Sequence, residues 1–538
     1  MLFNSYIFIF AYLPVVLAVF YALGYRERSW ALAWLILASL VFYAWWRPLN
    51  VLLIAPSILI NYGAAQGLVR LRGERPAAAR ALLLAGIAFN LCFLGYFKYL
   101  NFFRGTINDV FGANLILTQI VLPLGISFIT FQKIGFLIDL HAGRIDKVRL
   151  FDYSLFVLFF PQLIAGPIVH YREMMPQFQA ANCRFNSENA AVGLTLFFLG
   201  LFKKLIFADS LAAFVSPLYV HASAGGSIAL IDAWIAAVGF MLQIYFDFSG
   251  YSDMAIGLAR LFGIKLPINF NSPLRASSII EFWMRWHITL TRFLTAYVFN
   301  PLVLHLTRRR AAKGLPPFSP RSATLPGFLT LLMFPTVVTM FLSGFWHGAG
   351  YTFICWGLLH GLFLTINHAW RFSRLRIWPD TVSYTRIMVP VGFLLTFLSV
   401  AFSMALFRAP TLRCAFAIWA GMLGQHGVSL PAEYFVRLGH AGVWLAAQGV
   451  HSAMTSGKAL TQEIVFLAIL LAIALCAPNT LQLLSRYEPA LGSPRPSPNK
   501  PAGLSWSPSP AWAMGTAVIA AAGILSLGQL SEFLYWQF

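Results

Sequence analysis

Long uninterrupted runs of apolar residues, separated by short polar or basic stretches, follow one another along the chain. A helix that crosses a bilayer needs about 20 mostly apolar residues. By that measure the pattern predicts about eleven to thirteen membrane helices. The clearest candidates are residues 5–24, 30–46, 49–67, 81–101, 115–138, 152–168, 190–208, 227–247, 325–345, 351–370, 386–407, 462–478 and 511–530. The predicted fold class is all-α, a polytopic integral membrane protein.

Proline interrupts several of these apolar runs, for example at Pro123, Pro161 and Pro167. A broken helix at membrane depth is tolerated where protein or a water-filled cavity receives the freed backbone groups. Some of the predicted helices are therefore expected to be re-entrant or interfacial. The same breaks favour a protein with an internal cavity over a simple helical bundle.

Composition supports the membrane prediction and excludes other classes. Of 538 residues, 59% are hydrophobic and 10% are charged, whereas soluble domains have about 25% charged residues. Such a chain is neither a soluble enzyme nor a disordered or collagen-like one. The formal net charge of +20 fits basic cytoplasmic loops that face anionic lipid, so the predicted partner is the bilayer and not nucleic acid.

No internal repeat and no separate soluble domain is evident, so residues 1–538 are predicted to form a single membrane domain. The weakly charged stretch 421–460 is expected to be an outward-facing loop, and residues 485–509 a flexible Pro/Ser-rich connection before the last helix. The amino-terminal apolar run is interpreted as a retained first span, not a signal peptide. Five scattered cysteines form no CxxC pair, and no metal ligand set is predicted.

The first of three polar segments inside apolar sequence ends a long hydrophobic run. It contains Asp247, Ser249, Tyr251 and Asp253. Ionisable residues in membrane segments are costly, which makes each a functional candidate, and two carboxylates six residues apart could orient a buried polar site. The alternative is a helix end at Ser249-Gly250, where these side chains cap the next helix.

The second segment carries a charge pair and several aromatic rings. Glu281 and Arg285 are four residues apart and could pair across one helical turn. Trp283, Trp286 and His287 suit a membrane interface. The alternative interpretation is an interfacial anchor with an ion pair.

The third segment places His347 at the end of an uncharged run, next to Trp346 and between Gly344 and Gly348. The glycines allow a backbone or a ligand to come close. An imidazole can be neutral in an apolar wall at low cost and can take a proton from a hydroxyl near neutral pH. The alternative is a hydrogen bond to a neighbouring helix.

His360 follows thirteen residues after His347. On one ideal helix the two side chains would point roughly 220° apart. We therefore do not expect His360 to reach the same point as His347.

These segments, together with three others, resemble the membrane-bound O-acyltransferase superfamily. The resemblance is strongest to its bacterial branch, typified by the membrane components of alginate O-acetylation and of D-alanyl transfer to teichoic acids. The matching motifs are Leu122-Pro-Leu-Gly-Ile-Ser-Phe128 with Thr130-Phe-Gln132, Pro161-Gln-Leu-Ile-Ala-Gly-Pro167, Gly200-Leu-Phe-Lys203-Lys204, Tyr245-Phe-Asp-Phe-Ser-Gly-Tyr-Ser-Asp253, Phe282-Trp-Met-Arg-Trp-His287 and Gly344-Phe-Trp-His-Gly348. Each motif is weak alone, but six in this order are specific. The family-like core is predicted to be residues 1–410, and residues 411–538 a carboxy-terminal extension.

The resemblance implies helices around a central tunnel or funnel, with a cytoplasmic acyl thioester on one side and a hydroxyl acceptor on the other. It places the family's invariant histidine at His347 and its second active-site position at His287. The residues expected to bind substrate or shape the site are Trp346, Asp247, Ser249, Tyr251, Asp253, Arg285, Trp286 and Gln132. Acetyl-CoA is the implied acyl donor, and no permanently bound cofactor is expected.

The sequence therefore predicts an O-acetyltransferase of the bacterial inner membrane. It would move an acetyl group from acetyl-CoA toward hydroxyls of a secreted cellulose- or alginate-like polysaccharide. The implied partners are a periplasmic SGNH-type acetyltransferase and the polysaccharide synthesis machinery. Direct transfer to the acceptor and a covalent acyl-histidine both stay open. The alternatives from other classes are a polysaccharide or ion transporter and a non-catalytic membrane scaffold.

Two features depart from the family pattern. The stretch after His287 reads Phe293-Leu-Thr-Ala-Tyr297-Val-Phe-Asn-Pro301-Leu-Val, where alginate-type members have an Arg-Asp-Tyr stretch and then Pro-Leu-Gly-Gly. The spacing from His287 to His347 is 60 residues and exceeds the superfamily's, an excess that we assign to the basic loop 308–323. Both departures concern the acceptor and partner contacts more than the acyl-transfer chemistry.

Overall fold

The computed structural model describes residues 1–315, 324–453, 456–493, 504–528 and 534. These residues form two compact units. The first comprises Met1–Lys203, Ser249–Asn269 and the described residues between 480 and 528, and the second comprises Lys204–Phe248 and Phe270–Asn479. The division into a core at 1–410 and an extension at 411–538 stays a prediction.

The described chain is helical almost throughout. The helices up to residue 223 are α1 (Leu13–Arg26), α2 (Arg28–Ala44), α3 (Val51–Glu74), α4 (Pro76–Leu94), α5 (Leu100–Phe111), α6 (Ile126–His141), α7 (Leu150–Leu158), α8 (Phe160–Leu163), α9 (Tyr171–Ala180), α10 (Ser187–Phe202) and α11 (Asp209–Ser223). Those that follow are α12 (Leu230–Leu261), α13 (Ile279–Arg285), α14 (Ile288–Leu294), α15 (Asn300–Ala312), α16 (Leu325–Phe328), α17 (Phe334–His347), α18 (Tyr351–Ile377), α19 (Thr381–Arg408), α20 (Leu412–Met422), α21 (Ala432–Leu438), α22 (His440–Ala447), α23 (Gly457–Cys476), α24 (Thr480–Leu483) and α25 (Pro510–Leu525). Wider π-helical turns at Phe8–Tyr12, Gly95–Tyr99, Lys203–Ala208, Thr295–Phe299 and Leu329–Met333 join or extend several of them.

Eight helical stretches among the described residues are long and apolar enough to cross a membrane. They are Phe8–Arg26, Pro48–Glu74, Pro76–Phe111, Ser187–Ser223, Leu230–Leu261, Leu325–His347, Thr381–Arg408 and Gly457–Cys476. The apolar helices α2, α20 and α25 are shorter. The predicted fold class, an all-α polytopic membrane protein, is confirmed. The tunnel that the resemblance implies stays a prediction.

Two predicted spans are not continuous helices. Within 115–138 the chain is helical only from Ile126, because Pro123 has no amide hydrogen to donate and Gly125 adopts a left-handed backbone with φ of 66°. Within 152–168, α7 ends at Leu158, and α8 is a single turn that contains Pro161. The predicted interruption at these prolines is confirmed, and the prediction of full spans there is wrong.

The helix end predicted at Ser249-Gly250 is wrong, because α12 continues unbroken to Leu261. Glycine here serves close packing within the first unit. A Cβ at Gly200 would overlap the carbonyl oxygen of Gly250 and lie 2.8 Å from the Met254 nitrogen. The small residues thus let the backbones of α10 and α12 approach each other.

In the second unit, α17 and α18 pack tightly against each other. A Cβ at Gly344 would lie 3.0 Å from the Gly357 Cα and overlap the carbonyl oxygen of Phe353. Between the helices, Gly348 and Gly350 are extended, with φ of −160° and −163°. Because of this break, His347 is the last residue of α17, and α18 folds back alongside it.

Residues 421–460, predicted as a loop, contain regular structure. The described part includes α21, α22 and a short parallel ladder in which β1 (Ser429–Pro431) pairs with β2 (His451–Ala453). The register aligns Ser429 with His451 and Leu430 with Ser452. That this segment faces outward stays a prediction.

The described residues of the connection 485–509 contact the rest of the first unit. Trp506 is buried, its backbone N–H donates to the carbonyl oxygen of Leu483 (2.9 Å), and its ring lies 5.0 Å from that of Tyr487. Residues 494–503, which contain most of its prolines, lie outside the described residues, as do residues 316–323 of the loop 308–323.

Candidate active site

His347 lies in an aromatic enclosure in the second unit. Its side chain is buried, and its ring centroid lies 5.0 Å from that of Trp346, 5.4 Å from Trp356 and 5.1 Å from Phe407. These rings come from the end of α17, from α18 and from α19. The break at Gly348 brings the three helices together at the imidazole.

His287 lies beside His347, on the turn between α13 and α14. Its backbone is left-handed, with φ of 42° and ψ of 51°, a conformation that histidine tolerates better than most residues. The fully buried ring contacts Phe248 at a centroid distance of 4.8 Å and Trp346 at 6.0 Å. Its centroid lies 6.1 Å from that of His347.

Burial also determines the protonation state of His287. Removal of the ring from water lowers its pKa from 6.5 to about 3, because the charged imidazolium loses its hydration. His287 is therefore a neutral ring with one N–H and one acceptor nitrogen over the physiological pH range.

The segment before His287 folds as its spacing predicts. Arg285 and Glu281 form an ion pair of 2.6 Å across one turn of α13, and each side chain is about one-third exposed. Trp286 is buried and packs on Phe282 (5.5 Å) and Phe270 (5.1 Å). Trp286 thus belongs to the aromatic packing of the second unit, whereas Arg285 forms a charge pair at its partly exposed side.

Asp247 belongs to a buried charge cluster in the second unit. The Lys204 ammonium lies 2.7 Å from Asp247 Oδ1 and 2.6 Å from Asp209 Oδ1, and all three side chains are at most 5% exposed. Lys204 begins the chain of the second unit within the π-helical turn Lys203–Ala208. Phe248, next to Asp247, contacts His287. The cluster thus anchors the part of α12 that packs on the histidine.

Lys204 and Asp209 are not among the site residues predicted from the sequence. The available signal was a lysine inside an apolar run, because an intramembrane charge is expected to pair with another. Asp247 was identified, but its partner was not.

The remaining predicted site residues lie in the first unit. Asp253 pairs with Lys203 and accepts a hydrogen bond of 2.7 Å from Thr480. Tyr251 is buried and stacks on Phe3 at 4.9 Å. Ser249 on α12 and Gln132 on α6 are also buried there. The structure therefore groups His347, His287, Trp346, Asp247, Arg285 and Trp286 in one unit, and Ser249, Tyr251, Asp253 and Gln132 in the other.

His360 lies in the same aromatic cluster as His347, contrary to the expectation from sequence. Trp283 Nε1 donates to His360 Nδ1 (3.3 Å), and His360 Nε2 lies 2.9 Å from Ser403 Oγ, which donates to the Val400 carbonyl oxygen (2.8 Å). These partners leave Nε2 as the protonated nitrogen. The expected separation of 220° applies only to one continuous helix, whereas here the break at Gly348–Gly350 places the two histidines on different helices.

The Trp356 ring connects the two histidine environments. Its centroid lies 5.4 Å from that of His347 and 4.7 Å from that of His360. The hydrogen bonds of His360 to Trp283 and Ser403 fix its ring, and this ring packs against that of Trp356. His360 is thus a positioning residue for the wall around His347.

Comparison with known proteins identifies the family. The model of the membrane-bound O-acyltransferase family matches residues 140–315. A peptidoglycan O-acetyltransferase of Helicobacter pylori is 38% identical over 460 residues, which cover 80% of this chain and 81% of the relative. The chain belongs to the membrane-bound O-acyltransferase family. It is also 33% identical to a probable alginate O-acetylase of Pseudomonas aeruginosa over 100% of both chains. A teichoic acid D-alanyltransferase of Streptococcus thermophilus is 31% identical over 48% of this chain and 59% of that protein.

Membership of the membrane-bound O-acyltransferase family confirms the predicted family and the predicted class of enzyme. The protein is a multi-pass membrane O-acyltransferase. Family membership therefore favours an enzyme over the transporter and the scaffold that the sequence left as alternatives. His287 lies within the residues that the family model matches, and His347 lies beyond them. The match to the alginate O-acetylase spans both positions.

Proposed function

We propose that the protein transfers an acetyl group from cytoplasmic acetyl-CoA to hydroxyls of a secreted polysaccharide, with His347 as the general base. The observation that carries this proposal is the buried pair of imidazoles, His347 and His287, 6.1 Å apart in an aromatic wall. Relatives that are named for O-acetylation of alginate and of peptidoglycan support a glycan acceptor.

The chemistry follows from what a neutral imidazole can do. His347 takes the proton of the acceptor hydroxyl while the oxygen attacks the thioester carbonyl carbon and forms the new C–O bond. The carbonyl electrons move to the oxygen and return when the C–S bond breaks. The imidazolium then gives its proton to the departing thiolate, so that CoA leaves as the free thiol.

His287 positions this reaction. Its ring is neutral, fully buried and held by Phe248 and by the left-handed backbone. A fixed N–H or lone pair beside His347 can select the tautomer of His347 or polarise the acceptor hydroxyl. The aromatic rings around both histidines exclude water, which would otherwise hydrolyse the thioester.

A membrane location solves a problem of topology. Acetyl-CoA is a large polyanion confined to the cytoplasm, whereas a secreted glycan lies outside. In our proposal the protein lies in the bacterial inner membrane, and only the acetyl group passes between the two sides. A periplasmic SGNH-type partner, associated with the polysaccharide synthesis machinery, would accept it there. An alginate- or cellulose-like glycan is the proposed acceptor.

Purified protein in lipid nanodiscs tests the proposal. Radiolabelled acetyl-CoA is supplied with alginate, cellulose or peptidoglycan oligosaccharides, with and without a purified periplasmic SGNH-type acetyltransferase. We expect release of CoA thiol together with labelled glycan or labelled partner. His347→Ala should abolish the release, and His426→Ala, a change at an exposed histidine, should not. Absence of both CoA release and label transfer under all these conditions would overturn the proposal. Transfer from a carrier-bound thioester alone would overturn the acetyl-CoA donor.

A further inference from the structure

Two buried hydrogen-bond donors near His347 have no acceptor among the described residues. They are the Trp356 indole Nε1 and the Ser343 hydroxyl, and each side chain is 1% exposed. A buried donor without a partner is costly, and the indole N–H of a buried tryptophan usually finds an acceptor. A buried donor that has no acceptor within the protein can instead donate to a bound ligand.

Two groups of the same chemistry in the second unit do have acceptors. The Thr339 hydroxyl, one turn before Ser343 on α17, donates to the Pro335 carbonyl oxygen at 2.7 Å. The indole N–H of Trp419 donates to the Phe402 carbonyl oxygen at 2.9 Å. Ser343 and Trp356 therefore differ from Thr339 and Trp419, whose donors are satisfied by backbone carbonyl oxygens.

Both donors belong to the helices that cross beside the histidine. Ser343 and His347 are four residues apart on α17 and so lie on one face of the helix. Gly344 and Gly357 meet at the crossing of α17 and α18, and Ser343 and Trp356 immediately precede them. The Trp356 ring contacts the His347 ring at 5.4 Å.

We propose that Trp356 Nε1 and Ser343 Oγ form the oxyanion-binding site of the transferase. In the step described above, attack of the acceptor oxygen moves the carbonyl π electrons onto the thioester oxygen. The resulting oxyanion accepts hydrogen bonds from the indole N–H and from the serine O–H. When the tetrahedral intermediate collapses, the C=O bond forms again and the C–S bond breaks. The two donors neither gain nor lose a proton, so their contribution is electrostatic.

This inference rests on the proposed function, and it makes a separate kinetic prediction. Removal of one oxyanion donor typically lowers kcat by about 10²- to 10³-fold. The KM for acetyl-CoA should change little, because the donors act on charge that develops only in the transition state. Binding of S-ethyl-CoA, a thioether without a carbonyl, should be unchanged.

The test replaces Trp356 with 3-benzothienylalanine by genetic code expansion. This residue has the shape of tryptophan but sulfur in place of the N–H. The same replacement at Trp419 controls for the analogue itself, and Ser343→Ala removes the second donor by deletion of one oxygen. We expect kcat to fall about 10²-fold for each change at the site, with wild-type affinity for S-ethyl-CoA, and no fall for the Trp419 analogue.

The outcomes separate the two proposals. If the wild type transfers acetyl and the Trp356 analogue and Ser343→Ala retain its kcat, the oxyanion site is wrong and the proposed function stands. A loss that appears only in KM or in S-ethyl-CoA binding also overturns the oxyanion site. If the wild type itself releases no CoA, the proposed function is wrong, and this inference is wrong with it.

Discussion

The imidazole rings of His287 and His347 lie 6.1 Å apart, centroid to centroid, although 60 residues separate them in the chain. Two local features bring them together. His287 turns inward on a left-handed backbone between α13 and α14, and His347 ends α17 at an extended glycine. Each feature leads to a prediction.

Two substitutions of His287 distinguish the role of its left-handed backbone from the role of its imidazole ring. Asparagine tolerates the left-handed region, whereas alanine adopts it at a cost of about 1 kcal/mol or more. We expect His287→Asn to unfold near the wild-type temperature but to transfer acetyl poorly. His287→Ala should lose transfer and also unfold at a lower temperature. Thermal unfolding and labelled acetyl transfer, measured on the same preparations, check this. Wild-type transfer by His287→Asn would contradict the role of the imidazole.

The lowered pKa of His287 makes stability depend on pH. The folded protein binds this proton only near pH 3, whereas the unfolded chain binds it near pH 6.5. The contribution of the neutral, buried ring to the free energy of unfolding is therefore fully present above pH 6.5 and is lost as the pH falls toward 3. By pH 5 the loss is about 2 kcal/mol. We expect the unfolding temperature of the wild type to fall more between pH 7 and pH 5 than that of His287→Asn. Equal falls would show that this ring does not titrate as described.

The buried cluster of Lys204, Asp209 and Asp247 predicts an asymmetric response to mutation. Lys204→Met leaves two buried carboxylates without their cation and should destabilise the protein by about 3–5 kcal/mol. Asp247→Asn should cost less, because the ammonium keeps its contact of 2.6 Å with Asp209. The yield of folded protein and its unfolding temperature measure both effects. Equal stability of Lys204→Met and wild type would contradict the pairing.

The crossing of α17 and α18 predicts a strong effect of a single methyl group. A Cβ at Gly357 would overlap the Met340 carbonyl oxygen and lie 3.1 Å from the Gly344 Cα. Gly357→Ala should therefore separate the helices and destabilise the protein by about 1–3 kcal/mol. Gly515→Ala on α25 is the matched control, because no described atom lies within 4 Å of its Cβ. Unfolding temperatures compare the two variants, and equal values would contradict the close packing.

Much of the fold follows from hydropathy alone. Runs such as 325–345 and 386–407 are recovered as Leu325–His347 and Thr381–Arg408, because about 20 apolar residues have no other stable state in a bilayer. Hydropathy does not predict where a helix begins when proline or glycine determines the backbone, as at Pro123 and Gly125. An apolar stretch that cannot form a helix can be as hydrophobic as one that can. Hydropathy also misses the amphipathic and short helices α13 and α14, which position His287.

Individual site residues are predictable from the sequence, but the side chains that pair with them are not. His287 and His347 were identified because a histidine in apolar sequence is unusual and because their motifs resemble a known family. Lys204 and Ser403 depend on contacts between distant helices, which no local pattern encodes. The position of His360 is not predictable from helical periodicity, because the helix that contains His347 ends at Gly348–Gly350 and a new one begins.

The most direct measurement of the central claim is the acetyl-transfer rate of His347→Gln. Glutamine fills the enclosure formed by Trp346, Trp356 and Phe407 but cannot accept a proton from a hydroxyl near neutral pH. With equal amounts of folded protein in nanodiscs, and with the acceptor that the wild type uses, we expect this rate to fall about 10²- to 10⁴-fold. A rate close to that of the wild type would contradict general-base catalysis by His347.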